Sequence, residues 1–310
     1  MSSHILIGTA SWTDQSLLKS GRFYPPDVKT PEERLRFYAL QFPFVEVDST
    51  YYSLEMEESA RAWAERTPDD FVFDVKPFRI FTGHQTPPKM LPAPVRESLG
   101  ELPEGKRNWY YQDIGEAERD ELWSYFRRTL APLREAGKLG AVVFQFPPWF
   151  MPNAESKRHI LECAGRLEGV RVAVEYRSKY WFDDGGARRT LAFLREHGLA
   201  LVVVDGPQGF RSSVPPVWEA TDPELAVVRL HGRNRQTWEK PDLRSASERF
   251  NYLYGRSELR EVASHVRELA ERAREVHVTF NNNYEDNAQA NARQLMSMLA
   301  EDARMASAAS

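Results

Sequence analysis

The stretch Phe44-Val45-Glu46-Val47-Asp48 alternates apolar with acidic side chains, and polar residues follow it at 49–50. An alternation with a period of two is typical of a β-strand, because successive side chains point to opposite faces of the sheet. The valines favour the face that packs against helices, which leaves Glu46 and Asp48 on the other face. Buried acids are costly unless they are paired, so this strand predicts charged partners on neighbouring strands.

Seven further short runs rich in Val, Ile and Phe recur along the 310 residues. Together with 44–48 they predict eight strands, at 5–9, 44–48, 71–76, 141–146, 170–176, 199–205, 226–231 and 276–281. Helical patterns separate most of them, at 31–42, 57–66, 116–137, 154–167, 186–197, 258–274 and 285–300. The segment 206–216 is too short and too rich in proline to predict a full helix.

Strands that alternate with helices predict a parallel sheet with crossover connections. Eight such units predict an α/β fold, a (βα)₈ barrel of the TIM type, in a single domain over 1–305 with a frayed tail at 306–310. A doubly wound open sheet is the alternative. It usually carries a glycine-rich phosphate turn after the first strand, and Gly8-Thr9-Ala10-Ser11-Trp12 lacks that spacing.

Two connections are longer than a barrel needs, 78–115 after the third strand and 232–257 after the seventh. We interpret both as insertions. Because they follow strands, they lie on the C-terminal face, where barrel active sites occur. Long connections of this kind are typical of lids or partner surfaces.

The composition describes a globular protein with 41 basic and 45 acidic residues and a net charge of −4. A general nucleic-acid-coating surface is disfavoured by that charge, although a local basic groove is not. The single cysteine, Cys163, excludes an intramolecular disulfide and multi-cysteine metal sites. We expect a cytoplasmic protein without a signal peptide or membrane span.

Polar side chains end seven of the eight predicted strands, and all seven ends meet at the barrel's C-terminal mouth. Glu175, His231 and Glu46 are the candidate catalytic residues, because carboxylates and imidazoles transfer protons when neighbours tune their pKa values. Arginine and lysine suit phosphate or carboxylate, and aromatic rings suit sugars or bases. The candidate ligand-binding residues are Lys76, Gln145, Arg177, Arg229, Arg233, Asn281, Asn282, Trp12 and Tyr51. The alternative is a structural network in which these charges only neutralise one another.

A divalent metal is an open alternative at the same mouth. Glu46, Glu175, Asp205 and His231 could supply an oxygen-rich ligand set. The sequence has neither a HExxH motif nor a multi-histidine pattern, so zinc is disfavoured, and no other cofactor is indicated.

Several motifs in chain order resemble one known family. They include Ile7-Gly8-Thr9-Ala10-Ser11-Trp12, Val45-Glu46-Val47-Asp48-Ser49-Thr50-Tyr51-Tyr52, Phe144-Gln145-Phe146-Pro147-Pro148, Val174-Glu175-Tyr176-Arg177 and Arg229-Leu230-His231-Gly232-Arg233. The chain resembles the YecE-like family, a domain of unknown function (number 72), over about 5–300. The resemblance implies a (βα)₈-type barrel and no particular reaction. The family usually has Asn where this chain has Asp48, and a shorter stretch after the position of His84.

Three function classes follow from these observations. The first is an enzyme that acts on an anionic, phosphate- or sugar-containing small molecule at the mouth by acid–base chemistry. The others are a nucleic-acid-binding or phosphodiester-processing protein and a non-catalytic ligand-binding or interaction module. For the enzyme, we expect Glu175→Gln and Arg229→Ala to abolish turnover and leave the fold intact. The substrate, the oligomeric state and the choice between enzyme and binder stay open at this level.

Overall fold

Eight parallel strands form a closed barrel in the computed structural model, which describes residues 4–210, 212–243 and 245–309. The strands are β1 His4–Ala10, β2 Phe44–Val47, β3 Val72–Val75, β4 Leu139–Phe146, β5 Val172–Tyr176, β6 Ala200–Asp205, β7 Leu225–Leu230 and β8 Glu275–Phe280. They pair in sequence order, and β8 pairs with β1. The predicted (βα)₈ barrel is therefore confirmed, and the open doubly wound sheet is excluded.

Helices surround the barrel. They are α1 Gln15–Ser20, α2 Pro31–Ala39, α3 Glu57–Glu65, α4 Ala93–Leu99, α5 Glu116–Glu135, α6 Ala154–Gly165, α7 Gly186–Glu196, α8 Arg256–Ala270 and α9 Asn287–Ala309. The start of α2 is a capping box: Thr30 Oγ1 accepts from the Glu33 amide at 3.2 Å, and Glu33 accepts from the Thr30 amide at 2.8 Å. None of the helices in the described ranges is long and apolar enough to cross a membrane.

The structure adds helices α1 and α4 and a longer α9 to the sequence-based elements, and it agrees with them between β6 and β7. Helices α1 and α4 were not predicted, because six or seven residues are too few to show a helical period. In 206–210 and 212–224, between β6 and β7, no α-helix forms. Helix α9 continues to Ala309, past its predicted end at 300, as an alanine-rich sequence favours. The frayed tail expected at 306–310 stays a prediction, and Ser310 lies outside the described residues.

The barrel interior is apolar in its middle and charged at both ends. Small and branched side chains fill the middle, among them Ala141, Val143, Ala173, Ala200, Val202, Val204, Leu225 and Val227. Near the N-terminal end, buried His277 places Nδ1 3.0 Å from Asp74 Oδ2. The apolar middle therefore separates that ion pair from the polar side chains at the C-terminal mouth.

The segment 78–115 is part of the core. Its Phe81 ring stacks on Trp123 of α5 with centroids 3.8 Å apart, and both side chains are buried. Trp109 and Thr86 form an antiparallel bridge that closes the segment on itself. We therefore describe 78–115 as a packed connection between β3 and α5. Its predicted role as a lid or partner surface stays a prediction.

Candidate functional site at the barrel mouth

Arg229 joins two acids across the barrel. Its side chain is 2% exposed, its Nη2 lies 2.7 Å from Glu46 Oε1, and its Nη1 contacts Glu175 Oε2. These residues come from β7, β2 and β5, and both carboxyls are fully buried. We call Arg229, Glu46 and Glu175 the Arg229 cluster. Period-two alternation brings all three inward, as predicted for Glu46.

Glu175 Oε1 accepts further hydrogen bonds from mouth residues. Gln145 Nε2 donates at 2.7 Å and Arg177 Nη1 at 3.0 Å, and His231 Nε2 lies 3.3 Å away. Burial acts to raise the pKa of Glu175, but Arg229, His231 and Arg177 outweigh burial and hold the pKa well below its usual range. Glu175 is therefore a permanent carboxylate that orients three donors.

The pKa of Glu46, the other acid of the Arg229 cluster, is shifted in the opposite direction. Burial raises the pKa of Glu46 despite the attraction of Arg229 and Lys76. The two carboxyls that share Arg229 thus have pKa values moved apart, an arrangement typical of acid–base sites.

His231 is a neutral imidazole in this environment. Its Nδ1 lies 2.7 Å from Asn281 Nδ2, which can only donate, so Nδ1 is the acceptor and Nε2 carries the ring proton. Nε2 lies 3.3 Å from Glu175 Oε1, the acceptor for that proton, and 3.0 Å from Arg177 Nη1. Burial, and then the charge of Arg177, lowers the pKa of His231 to about 3.

A cavity of about 390 Å³ opens above these groups, and we call it the mouth cavity. Its lining includes Lys76, Gln145, Arg177, Arg229, His231 and Asn281, all of which the sequence singled out. Lys76 Nζ donates to Gln145 Oε1 at 3.2 Å and lies 4.9 Å from the Tyr51 ring centroid. Burial, reinforced by Arg229, lowers the pKa of Lys76, whereas burial raises the pKa of Asp48 on the same wall.

Several predicted residues lie outside the lining of the mouth cavity, Arg233, Asp205, Asn282 and Trp12 among them. Arg233 forms a two-pronged pair with Asp205, with Nε–Oδ1 at 3.0 Å and Nη2–Oδ2 at 2.6 Å, and Tyr254 donates to Asp205 Oδ1 at 2.7 Å. Asn282 donates to Tyr252 O at 2.8 Å and to Asn291 Oδ1 at 3.0 Å. Trp12 is buried edge-on against Trp63. These side chains make their contacts outside the mouth cavity, and their role in ligand binding stays a prediction.

The four predicted metal ligands do not form one ligand set, although His231 Nε2 lies 3.3 Å from Glu175 Oε1. Glu46 and Glu175 contact Arg229, and Asp205 contacts Arg233. Among the described residues, no group of three or more His, Cys, Asp and Glu side chains is arranged to hold a metal ion. The residues present therefore do not fit the oxygen-rich site that the sequence left open.

Several lining residues were outside the predicted set. They are Asp14, Asp48, Tyr52, His84, Pro147, Pro148, Ser247, Phe250 and Asn283. The alternation in 44–48 predicts that Asp48 faces inward, but it assigns no role to that residue. His84, whose pKa burial lowers to about 4, comes from 78–115, and Ser247 and Phe250 come from 232–257. Their positions depend on how long connections fold back, which no local pattern encodes.

The family model for the protein of unknown function DUF72 matches residues 6–310. The chain belongs to this family. The UPF0759 protein YunF of Bacillus subtilis (strain 168) is 32% identical over 297 residues, which cover 95% of this chain and 94% of that protein. The resemblance noted in the sequence motifs is thereby confirmed.

Solved DUF72 structures share the fold. One from Enterococcus faecalis V583 has a TM-score of 0.77 at 27% identity and covers 95% of both chains. Another, from Thermotoga maritima MSB8, has a TM-score of 0.72 at 29% identity and covers 96% of this chain and 99% of that one. The barrel is therefore a property of the DUF72 family.

Proposed function

We propose that this DUF72 protein is a cytoplasmic enzyme that acts on a small phosphate- or sugar-containing anion in the mouth cavity by acid–base chemistry. One observation carries the proposal. Lys76, Arg177 and Arg229 line the mouth cavity, whereas the carboxylates that balance the two arginines, Glu46 and Glu175, lie beneath its lining. The lining also carries Asp14 and Asp48, so its three cations outnumber its two acids, while Glu46 and Glu175 stay buried beneath it.

The same arrangement supports proton transfer. An anion bound at Arg177 would offset one of the charges that hold the pKa of His231 down, so the imidazole becomes a stronger base when substrate is present. Asp48 and Glu46, whose pKa values burial raises, are the candidate proton donors. Glu175 orients Arg177 and His231 and stays ionised throughout.

The test compares glucose 6-phosphate with glucose by thermal denaturation and by calorimetric titration. The phosphorylated sugar at about 100 times its Kd is expected to stabilise the native state by about 2.7 kcal/mol, and glucose far less. Arg177→Met should weaken binding about tenfold or more, because it removes a charged donor. Arg61→Met removes an exposed arginine of α3 and is the matched control. Equal weakening by both variants would contradict the proposal.

A short single-stranded DNA belongs in the same titration. Exposed Tyr52, Trp149 and Tyr180 follow β2, β4 and β5 and could stack on bases. Tight DNA binding with a steep salt dependence, without a response to the phosphorylated sugar, would replace the small-molecule proposal by the nucleic-acid alternative.

A further inference from the structure

Lys76 differs from the two arginines in the mouth cavity. Arg177 and Arg229 each contact a carboxylate, but no acidic side chain in the described part of the chain lies within 4.0 Å of Lys76 Nζ. The Lys76 nitrogen has one side-chain hydrogen bond, to neutral Gln145, and rests 4.9 Å from the Tyr51 ring centroid. Glu46, Asp48 and Glu175 attract the Lys76 ammonium ion from beyond that distance, but burial and the charge of Arg229 oppose it more strongly.

We propose that Lys76 is a nucleophile that forms an imine with the carbonyl carbon of a phosphorylated aldehyde or ketone in the mouth cavity. The proposal rests on the proposed function, because Arg177 and Arg229 would hold the anionic group. It adds a reactive group to the substrate and a covalent step to the chemistry. Burial and Arg229 both lower the pKa of Lys76, which increases the share of the reactive amine.

Lys76 and Asp48 supply the protons that this step needs. The Lys76 amine attacks the carbonyl carbon, a C–N bond forms, and the π electrons of the carbonyl move onto its oxygen. The oxygen leaves as water with one proton from the Lys76 amine and one from Asp48, which lines the same cavity. The products are a protonated imine, water and the Asp48 carboxylate. Burial raises the pKa of Asp48 and so favours the protonated acid at the start.

Lys138 is an internal control. Its side chain is also buried, but Nζ donates to Ala64 O at 2.6 Å, to Thr67 O at 2.8 Å and to Thr67 Oγ1 at 3.3 Å. It precedes β4 and so lies at the opposite end of the barrel. A buried lysine whose three protons are all engaged should not react.

The experiment incubates the full chain with glyceraldehyde 3-phosphate or dihydroxyacetone phosphate and with cyanoborohydride, then maps the peptides by mass spectrometry. Hydride adds to the imine carbon and leaves a stable secondary amine. One adduct per chain, at Lys76, is expected to form at least about tenfold faster than at exposed Lys240, with none at Lys138. Labelling of Lys76 no faster than of Lys240 would overturn the proposal.

Glycerol 3-phosphate separates this inference from the proposed function, because it carries the phosphate and no carbonyl. It should stabilise the native state and give no adduct. Lys76→Arg places a permanent cation at this position that cannot form an imine, so it should retain that stabilisation and lose the adduct. Stabilisation by all three phosphates without an adduct would overturn only the imine, whereas absence of both would overturn the proposed function as well. Peptide mapping of the unaltered chain decides the matter even if Lys76→Arg does not fold.

Discussion

Arg229 connects β7 to β2 and β5 through two carboxyls that have little contact with solvent. Removal of one partner from a buried charge network leaves the other charges uncompensated. We expect Arg229→Met to lower the free energy of unfolding by about 3–5 kcal/mol. This prediction replaces the sequence-based expectation that loss of Arg229 leaves the fold intact.

Urea denaturation checks this prediction, with a triple variant as its control. Glu46→Gln and Glu175→Gln added to Arg229→Met remove both orphaned charges and should recover part of the lost stability. A loss below about 1 kcal/mol for Arg229→Met alone would show that Glu46 and Glu175 find other partners.

Alternation identified the inward residues but could not identify their partners. Glu46, Glu175 and Arg229 sit within regular strands, where the period of two holds. Arg233 lies beyond the end of β7, and Gly232 has a φ of 82°, which breaks the alternation before that residue. The side chain therefore contacts Asp205. A strand pattern extended past the strand's last residue cannot predict such a turn.

At the scale of elements, Gly8 sets how closely β1 approaches β2. A Cβ at position 8 would lie 1.9 Å from Phe44 O, which is backbone and cannot move without displacing the strand. We expect Gly8→Ala to lower the free energy of unfolding by about 3 kcal/mol or more, as strained core substitutions do.

Gly165→Ala is the matched control for that substitution. Gly165 ends α6, and nothing lies within 4 Å of a Cβ there, so alanine should be neutral or stabilise by up to about 1 kcal/mol. Chemical denaturation of the two variants gives the comparison. A similar change in unfolding free energy for both variants would show that the clash with Phe44 O is not what destabilises Gly8→Ala.

The strands were predictable because each carries its signal within a few consecutive residues. The observed bounds of β1 to β8 lie within two residues of the predicted ones, and α2 begins at its predicted capping box. The connection 78–115 was predictable only as a long segment. Its contact between Phe81 and Trp123 joins residues 42 positions apart, so its packing depends on the completed barrel.

At the scale of the whole molecule, the barrel contains two separate charged layers. Alternation selects inward-facing polar residues but does not say at which height they meet. The structure pairs His277 of β8 with Asp74 of β3 beneath the apolar middle. The mouth can therefore change its charge during binding without disturbing this lower pair.

The lower pair predicts how stability depends on pH. Burial opposes the charge on His277, but Asp74 outweighs burial and raises the pKa to about 9 from 6.5. A group whose pKa is higher in the folded chain contributes its full stability below the unfolded value and loses it as pH rises through the folded value. Both side chains are fully buried, so solvent does not screen the attraction between them. We expect a loss of about 3 kcal/mol between pH 6.5 and pH 9.

Other groups also titrate over this pH range. The prediction therefore concerns the difference in unfolding free energy between the natural chain and a variant that lacks the ion pair. Lys76, whose pKa is lowered, acts with the opposite sign as its unfolded form deprotonates at higher pH. Asp74→Asn combined with His277→Gln replaces the ion pair by neutral amides and leaves Lys76 in place. Urea denaturation from pH 6 to pH 9.5 should show that the stability advantage of the natural chain over this variant shrinks as pH rises. An advantage that stays constant would mean that His277 is already neutral in the folded barrel at pH 6.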